Sequence, residues 1–417
     1  MTLPPRRRIL FVTSNFPRWA GDSTTPFVQV LAQDLIALGW EVHVLAPHAP
    51  GAAESELLGG VPVERFRYLF PEAAQTVCYQ GGALANLEKS PRNKLKLPAL
   101  VFAEWLAVQT RALSGAYDLI HSHWVLPQGF VGMFAAGLCG LPHVITVHGS
   151  DIFQLTSAPL EAAKRAALSR AQVVTVNSSA TEARTRKVAP ELSDLRRIPM
   201  GISSEPLSSE EREHAATLRA RHRDGDGPLL AFVGRMVAQK GGEDLLRAVA
   251  RLRGELPKVR LLMIGEGPDR AAWQSLTEEL GVADLVTFLG WVEPTEVRAH
   301  LAAVDIFVGP SRGNEAQGLA FLEAMSVGTA VVAARSGGVL DVVEHERTGL
   351  LVKQEAPEEL GLAILRLARD GDLRSRLVEG ATRLLGGAFS RQGSAQRFSE
   401  VYADCLCEPR FVGVRPG

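Results

Sequence analysis

The sequence predicts an α/β protein made of two tandem, doubly wound parallel-sheet domains. Three features of the chain carry this. Short β-rich runs alternate with longer helical patterns, the order that gives parallel strands joined by right-handed crossovers. The alternation weakens between Ile198 and Asp226 and then restarts. The 417 residues are too many for one ordinary domain and suit two of about 200 each.

Taken in order, Arg8–Thr13 (RILFVT) reads as the first strand. Pro26–Leu38 follows as a helix with Phe27, Val30, Leu31, Leu35 and Leu38 on one face, and Gly39 stops it. Glu41–Leu45 (EVHVL) is the second strand, and Asp118–His121, Val144–His148 and Val173–Asn177 are later ones. The stretch Trp124 to Val147 carries no formal charge and is about as long as a membrane span. Gly137, Gly140 and Leu141-Pro142 interrupt it, so a buried helix, a turn and a buried strand are expected instead. Ile198–Ile202 ends the first half, and a charged helix and Arg223–Pro228 form the connector.

Leu229–Val233, Arg260–Ile264, Val286–Leu289, Ile306–Val308 and Ala330–Ala333 then read as a second parallel set, with helices at Glu243–Arg253 and Pro268–Leu280. A further helix, about Gln392–Cys405, trails them. The expected division is 1–205, 206–390 and a helix and tail over 391–417, with a return of that helix onto the first domain left open. Sheets of this kind bind ligands at the carboxyl ends of their strands. Two of them facing each other across a cleft would form a small-molecule site.

Bulk composition narrows the function. Hydrophobic residues make up 46% and charged residues 22%, the mix of a folded globular protein. The 45 Lys and Arg against 46 Asp and Glu give a net charge of -1, so nucleic acid is not an expected partner. Cys78, Cys139, Cys405 and Cys407 form no C-x-x-C pair, which favours free thiols in a reducing compartment. Arg6, Arg7 and Arg8 resemble a signal-peptide start, but the apolar run behind them is only Ile9 to Val12, whereas a secretory segment needs roughly 7–15 residues. A soluble, cytoplasmic protein is expected.

The most informative segment runs from Ser311 to Met325. A strand ends just before it and a helix starts near Gly318. Free amides at such a helix start, with the helix dipole, favour an anion, and Gly318 lets backbone approach it closely. Glu315 lies in the loop and Glu323 two turns into the helix, so one can face a sugar while the other reaches along the ligand. An isolated E-x7-E would be a surface pair; the strand–loop–Gly–helix setting reverses that. The second constellation is Phe232–Gly242, where Gly234 and Gly241 flank a loop carrying Arg235 and Lys240. Two fixed cations at a strand end suit a diphosphate and the charge that grows on it as it departs. Alone they would be solvated surface cations.

In the first half, Val147-His148-Gly149-Ser150-Asp151 closes a buried strand; His148 could line the site or cap the core, and Asp151 could cap a helix. Gly265-Glu266-Gly267-Pro268 is a tight turn near the ligand, since Pro268 breaks any G-x-G-x-x-G pattern. Asp224-Gly225-Asp226 is a solvated turn rather than a metal-holding carboxylate pair, because no apolar strand precedes it.

Arg235 with Lys240, then Glu315 through Glu323, in two tandem Rossmann-like domains, resemble the GT-B retaining glycosyltransferases of family 4. The opening ILFVTSNFPRWAGDSTTPFVQVLAQDLIALGWEVHVLAPH and the stretches DLIHSHWVLPQGF and ITVHGSD resemble that family's acceptor-side domain, and the likeness runs from about Arg8 to Asp370. The resemblance implies that Arg235 and Lys240 hold the donor diphosphate and Glu323 accepts the ribose hydroxyls. Backbone amides around Gly318 and Leu319 would meet the β-phosphate and sugar. Glu315 would contact the transferred sugar, with His148 beside it, as the catalytic pair. Ser336-Gly337-Gly338-Val339 looks like the family's following glycine turn. Many relatives carry a Gly-Gly loop after the first strand; here Trp19–Phe27 has only Gly21.

The expected activity is retaining transfer of a hexose-type sugar from a UDP- or GDP-sugar to a glycan, lipid-linked or small-molecule acceptor. No metal and no cofactor are expected; the nucleotide sugar is a co-substrate. A front-face substitution fits, since Glu315 alone offers no clear carboxylate nucleophile. Two other readings stay open: a nucleotide-sugar 2-epimerase, against which R-x4-K with E-x7-E argues, and a non-catalytic nucleotide-sugar-binding protein. Ser90–Leu100 (SPRNKLKLPAL) carries Arg92, Lys94 and Lys96 among leucines. It is read as a solvated loop face, with peripheral contact to the inner membrane face as the alternative.

Overall fold

A computed structural model describes residues 7–407 apart from 23, 25, 80, 81, 84, 85, 88 and 89. Arg6 of the basic triplet, Ser23 and Thr25 of the Trp19–Phe27 loop and residues 408–417 of the expected tail lie outside the described residues. The chain forms two compact units. The first takes the chain up to Pro199 and again from Arg391; the second is Met200–Ser390.

The first unit is built on eight strands: β1 (Arg8–Val12), β2 (Glu41–Pro47), β3 (Ser55–Leu58), β4 (Val61–Phe66), β5 (Leu119–His123), β6 (His143–Val147), β7 (Val173–Val176) and β8 (Leu195–Arg197). Their order is β3-β4-β2-β1-β5-β6-β7-β8. All neighbours run parallel except β3 and β4, a hairpin whose two-residue turn is Gly59-Gly60 at φ 57° and 84°. Both central residues of that turn need positive φ, which glycine accepts without cost. The strand order reverses between β1 and β5. Every residue of β5 (LIHSH) and β6 (HVITV) is buried, because helices cover both faces of the sheet.

The helix Arg391–Cys407 packs on the helix Pro26–Ala37 and completes this unit. Arg391 pairs with Asp34 at 2.7 Å, Trp40 Nε1 donates to Ser399 Oγ at 2.9 Å, and Tyr402 OH meets His121 Nδ1 at 2.6 Å.

The second unit has six parallel strands: β9 (Leu229–Val233), β10 (Arg260–Ile264), β11 (Val286–Gly290), β12 (Ile306–Gly309), β13 (Ala330–Ala334) and β14 (Leu350–Val352). The order β11-β10-β9-β12-β13-β14 is the Rossmann order with its reversal between β9 and β12. One face is packed by Leu245, Val249, Trp273, Ile364 and Leu377, the other by Leu301, Phe321, Leu322, Val342 and Leu385. This unit takes in Met200–Glu205, ahead of the expected boundary at 206. Met200 N donates to Gln317 Oε1 at 2.9 Å, and Ile202 N donates to Phe389 O at 2.9 Å.

Ser90–Leu100 departs from its expected loop. It is the start of a long helix, Pro91–Leu113, with Pro91 at the first helical position, where a missing N–H costs nothing. Asp224-Gly225-Asp226 is a turn, with Gly225 at φ 55° and the two carboxylates paired to Arg260 and Lys258. Trp124–Val147 folds as a helix at Phe130–Cys139, a turn and strand β6.

Candidate functional site

In the second unit the two sequence constellations meet at the reversal between β9 and β12. The β9 loop turns at Gly234 (φ 154°), passes exposed Arg235, and closes in a 3₁₀ turn at Ala238–Lys240. Gly241 (φ 69°) follows, and a Cβ there would lie 1.9 Å from Pro310 O, so only glycine lets the β9 and β12 loops approach. The two loops are joined by backbone: Arg312 N and Gly313 N both donate to Gln239 O, at 2.8 and 3.1 Å. Arg312 is a loop anchor, gripping both oxygens of Asp244 at 2.7 Å each. The Gly265–Gly267 turn packs against the same loop; Met236 N donates to Glu266 O at 2.9 Å.

This scaffold brings Lys240 and Glu315 together. Lys240 Nζ lies 2.5 Å from Glu315 Oε1, and Ser311 Oγ donates to the same oxygen at 2.5 Å. The Glu315 backbone is clamped too: its N–H donates to Ser336 Oγ at 3.2 Å, and Gly338 N donates to its carbonyl at 2.8 Å. Gly337 (φ 48°) allows that clamp, since a Cβ there would meet Glu315 O at 2.3 Å. Burial pushes the Glu315 carboxyl up, but the Lys240 charge and the bonds from Lys240 and Ser311 outweigh it, so the net shift is down. Glu315 is therefore ionised at neutral pH.

Gly318 (φ 85°) ends the β12 loop, and Leu319 opens the helix Leu319–Ser326, whose first turn has no side-chain cap. Gln317 holds this start in place by bonding both the N–H and the carbonyl of Met200, at 2.9 and 2.8 Å. Glu323, on the same helix, is partly buried. Its carboxylate has no hydrogen-bond partner among the described residues, and burial pushes it up to about 7 against a small opposing pull from Arg298.

His148 belongs to the first unit, at the end of β6. It is buried and pushed down to about 3 by that burial, so it is neutral at pH 7. Its ring packs 4.6 Å from Trp124 and 5.1 Å from Phe27, centroid to centroid. Asp151 caps the loop, accepting from Val125 N at 2.9 Å, Gly149 N at 2.8 Å and His148 N at 3.2 Å. Sequence reasoning missed His123, whose Nδ1 lies 3.0 Å from His148 Nε2. The signal was His121-Ser122-His123 closing a strand at the sheet reversal.

The hydrogen-bond network assigns the protons in this cluster. His123 Nε2 is buried without a partner among the described residues. An orphaned N–H is rarer and costlier than an orphaned lone pair. His123 thus carries its proton on Nδ1 and donates to His148 Nε2, which leaves the His148 proton on Nδ1. The same rule puts the His143 proton on Nε2, facing Ser122 Oγ at 2.9 Å, because its Nδ1 is the orphan. His121 and His123 are held well below the usual range by burial and by neighbouring histidines. Among the described residues no three His, Cys, Asp or Glu side chains are grouped to hold a metal ion, and no helix is long and apolar enough to cross a membrane.

Comparison with known proteins matches residues 26–205 to the model described as Glycosyltransferase Family 4 and residues 215–384 to that described as Glycosyl transferases group 1. A D-inositol 3-phosphate glycosyltransferase of Acidothermus cellulolyticus is 32% identical over 79% of this chain and 77% of its own. A GDP-mannose-dependent alpha-(1-6)-phosphatidylinositol monomannoside mannosyltransferase of Mycobacterium tuberculosis is 27% identical over 88% of this chain and 90% of its own. Among solved structures, a sucrose-phosphate synthase from Thermosynechococcus elongatus superposes with a TM-score of 0.78 at 25% identity, covering 96% of this chain and all (100%) of that one. HepE from Anabaena, solved with UDP and glucose, has the same fold, with a TM-score of 0.73 at 21% identity over 96% of this chain and 100% of its own.

Proposed function

The chain belongs to glycosyltransferase family 4, and from that premise we propose that it transfers a hexose from a UDP- or GDP-sugar to an acceptor hydroxyl with retention of configuration. The acceptor is a glycan, a lipid-linked sugar or a small polyol. The observation that carries the donor assignment is the Lys240–Glu315 pair at the β9/β12 reversal, with the uncapped helix start at Leu319 and unpartnered Glu323 on the same helix. A diphosphate takes its countercharge from Arg235 and Lys240 and hydrogen bonds from the amides at Gly318 and Leu319. Glu323, once ionised, accepts two ribose hydroxyls.

In the transfer step the acceptor oxygen forms a bond to the anomeric carbon on the face from which the diphosphate leaves. The bond from that carbon to the phosphate oxygen breaks, and the acceptor proton passes to the departing phosphate. Arg235 and Lys240 take up the charge that develops there, which is the largest contribution such a site makes to rate. Glu315, fixed by Lys240 and Ser311, lies against the sugar. Neutral His148 offers its Nδ1–H to a sugar oxygen. Those two are the proposed catalytic contacts, and the reaction needs no metal and no cofactor.

Thermal unfolding in EDTA with UDP, GDP, ADP and their sugar conjugates tests the donor side. A ligand at about a hundred times its dissociation constant adds about 2.7 kcal/mol of stability. One nucleotide is expected to give a clear shift that Glu323→Ala abolishes. Equal shifts in both proteins would remove Glu323 from the site.

A further inference from the structure

The helix Pro91–Leu113 carries large apolar residues on its solvent side as well as on its packed side. Its inward face is partly polar: Asn93, Glu104 and Gln109 are buried beside Leu100, Val108 and Ala112. Its outward face carries Leu95, Phe102, Leu106 and Leu113, which are 83%, 64%, 52% and 62% exposed. Their spacing of seven, four and seven residues puts them in one stripe at the helical period. Trp105 widens the stripe, its ring stacked on Phe102 at 6.1 Å. The helix Phe130–Cys139 packs alongside, has no charged residue, and leaves Phe134 and Leu138 exposed. An apolar surface spread over two adjacent helices is more than a scatter of single exposed side chains and marks a place where something docks.

Charge indicates what docks there. Arg92 and Lys94 are exposed at the amino end of the stripe. Lys96 is tied to Ala74 O and Thr76 Oγ1 at 2.9 and 2.8 Å, and Arg111 pairs with Glu64. Glu104 is the helix's only acid, and it is buried, its carboxyl pushed up to about 8 by that burial. The exposed flank of the helix thus offers aromatics, leucines and cations with no exposed carboxylate among them. A tryptophan and a phenylalanine beside lysine and arginine suit the boundary between lipid headgroups and acyl chains.

We propose that the outward face of Pro91–Leu113, continued by Phe134 and Leu138, seats the first unit on an anionic lipid surface. Leu95, Phe102, Trp105 and Leu106 enter the headgroup boundary, and Arg92 and Lys94 meet lipid phosphates. The proposal stands on these two helices and is independent of the transfer chemistry.

The test is sedimentation of the full chain with vesicles of phosphatidylcholine alone and of equal parts phosphatidylcholine and phosphatidylglycerol. Binding to the mixed vesicles is expected, weakening with salt. Phe102→Ser with Leu106→Ser should reduce it at least ten-fold, and Lys94→Ala should cost about five-fold on the anionic vesicles. Trp105 fluorescence should be quenched by brominated lipid, and Trp105→Phe should remove that quenching, a readout that does not depend on the folding of the double variant. Absence of binding to either vesicle would overturn the proposal. So would unquenched Trp105, or self-association in lipid-free buffer that the double variant abolishes while vesicle binding is absent, which would make a second copy the occupant.

Discussion

In the first unit the candidate polar groups sit on strand ends inside a covered sheet; in the second they ride on loops. His121, His123, His143 and His148 are all buried and all neutral, and each has a ring nitrogen at hydrogen-bond distance from a neighbour. Lys240, Glu315 and Glu323 are only partly buried and sit on loops or a helix set by Gly241, Gly318 and Gly337. A strand end buried in low dielectric can hold a neutral donor in fixed orientation but cannot hold an unpaired charge. A glycine-spaced loop can bring a charge to a ligand and keep it solvated or paired until then. The difference predicts that the second unit supplies the charge stabilisation of the reaction and the first unit supplies direction.

Removing the charge is the severest way to break that comparison. Lys240→Ala should lower kcat by about 10²–10³-fold, and the Glu315 carboxyl should rise with the loss of the charge that holds it down. A loss as small as that of His148→Ala would erase the distinction between the units. His148→Ala itself removes one neutral hydrogen bond and should cost about five- to ten-fold in kcat/KM.

Glu323 sharpens the comparison through pH. Its carboxyl titrates at about 7 in the folded chain, against about 4.3 when unfolded. A raised acid binds its proton in the native state across that window, so its contribution to stability falls as pH rises from about 4.3 to about 7. Glu323→Gln should flatten that segment of the stability curve. In the proposed site the ionised form meets the ribose, so nucleotide affinity should fall as pH drops below about 7, and calorimetry of the Gln variant should show that dependence gone. The smallest effect is spectroscopic. Nitrogen-15 NMR should find His148 as the Nδ1–H tautomer in the wild type, and His123→Phe should release it to a mixture; an Nε2–H tautomer in the wild type would reverse the proton assignment.

Much of this was legible from the residues. β9 and β10 fall on the expected bounds because each is a continuous apolar run ended by glycine or charge. The β3–β4 hairpin was missed although Gly59-Gly60 announces it, since Pro62 and the charges at Glu56 and Glu64 weaken the apolar alternation. β8 and β14 have three residues each, too short for any periodicity to register. The helix at Pro91 is hard to see in the sequence because Pro91, Pro98 and three cations mask its period, and its solvent side carries apolar residues. Lys240 and Glu315 lie 75 residues apart, and their contact follows from the reversal of strand order, which no local pattern encodes. The His123–His148 contact likewise depends on two strands lying side by side, a fact that neither strand's own sequence states.

The helix Arg391–Cys407 makes the second unit an insertion within the first. A ribosome making this chain releases all of Met200–Ser390 before the residues that finish the earlier unit. The second unit can fold as it emerges, while His121 waits for Tyr402 and Asp34 for Arg391. A chain ending at Ser390 carries a complete second unit and an open-sided first one, so the part made first is the last to be completed.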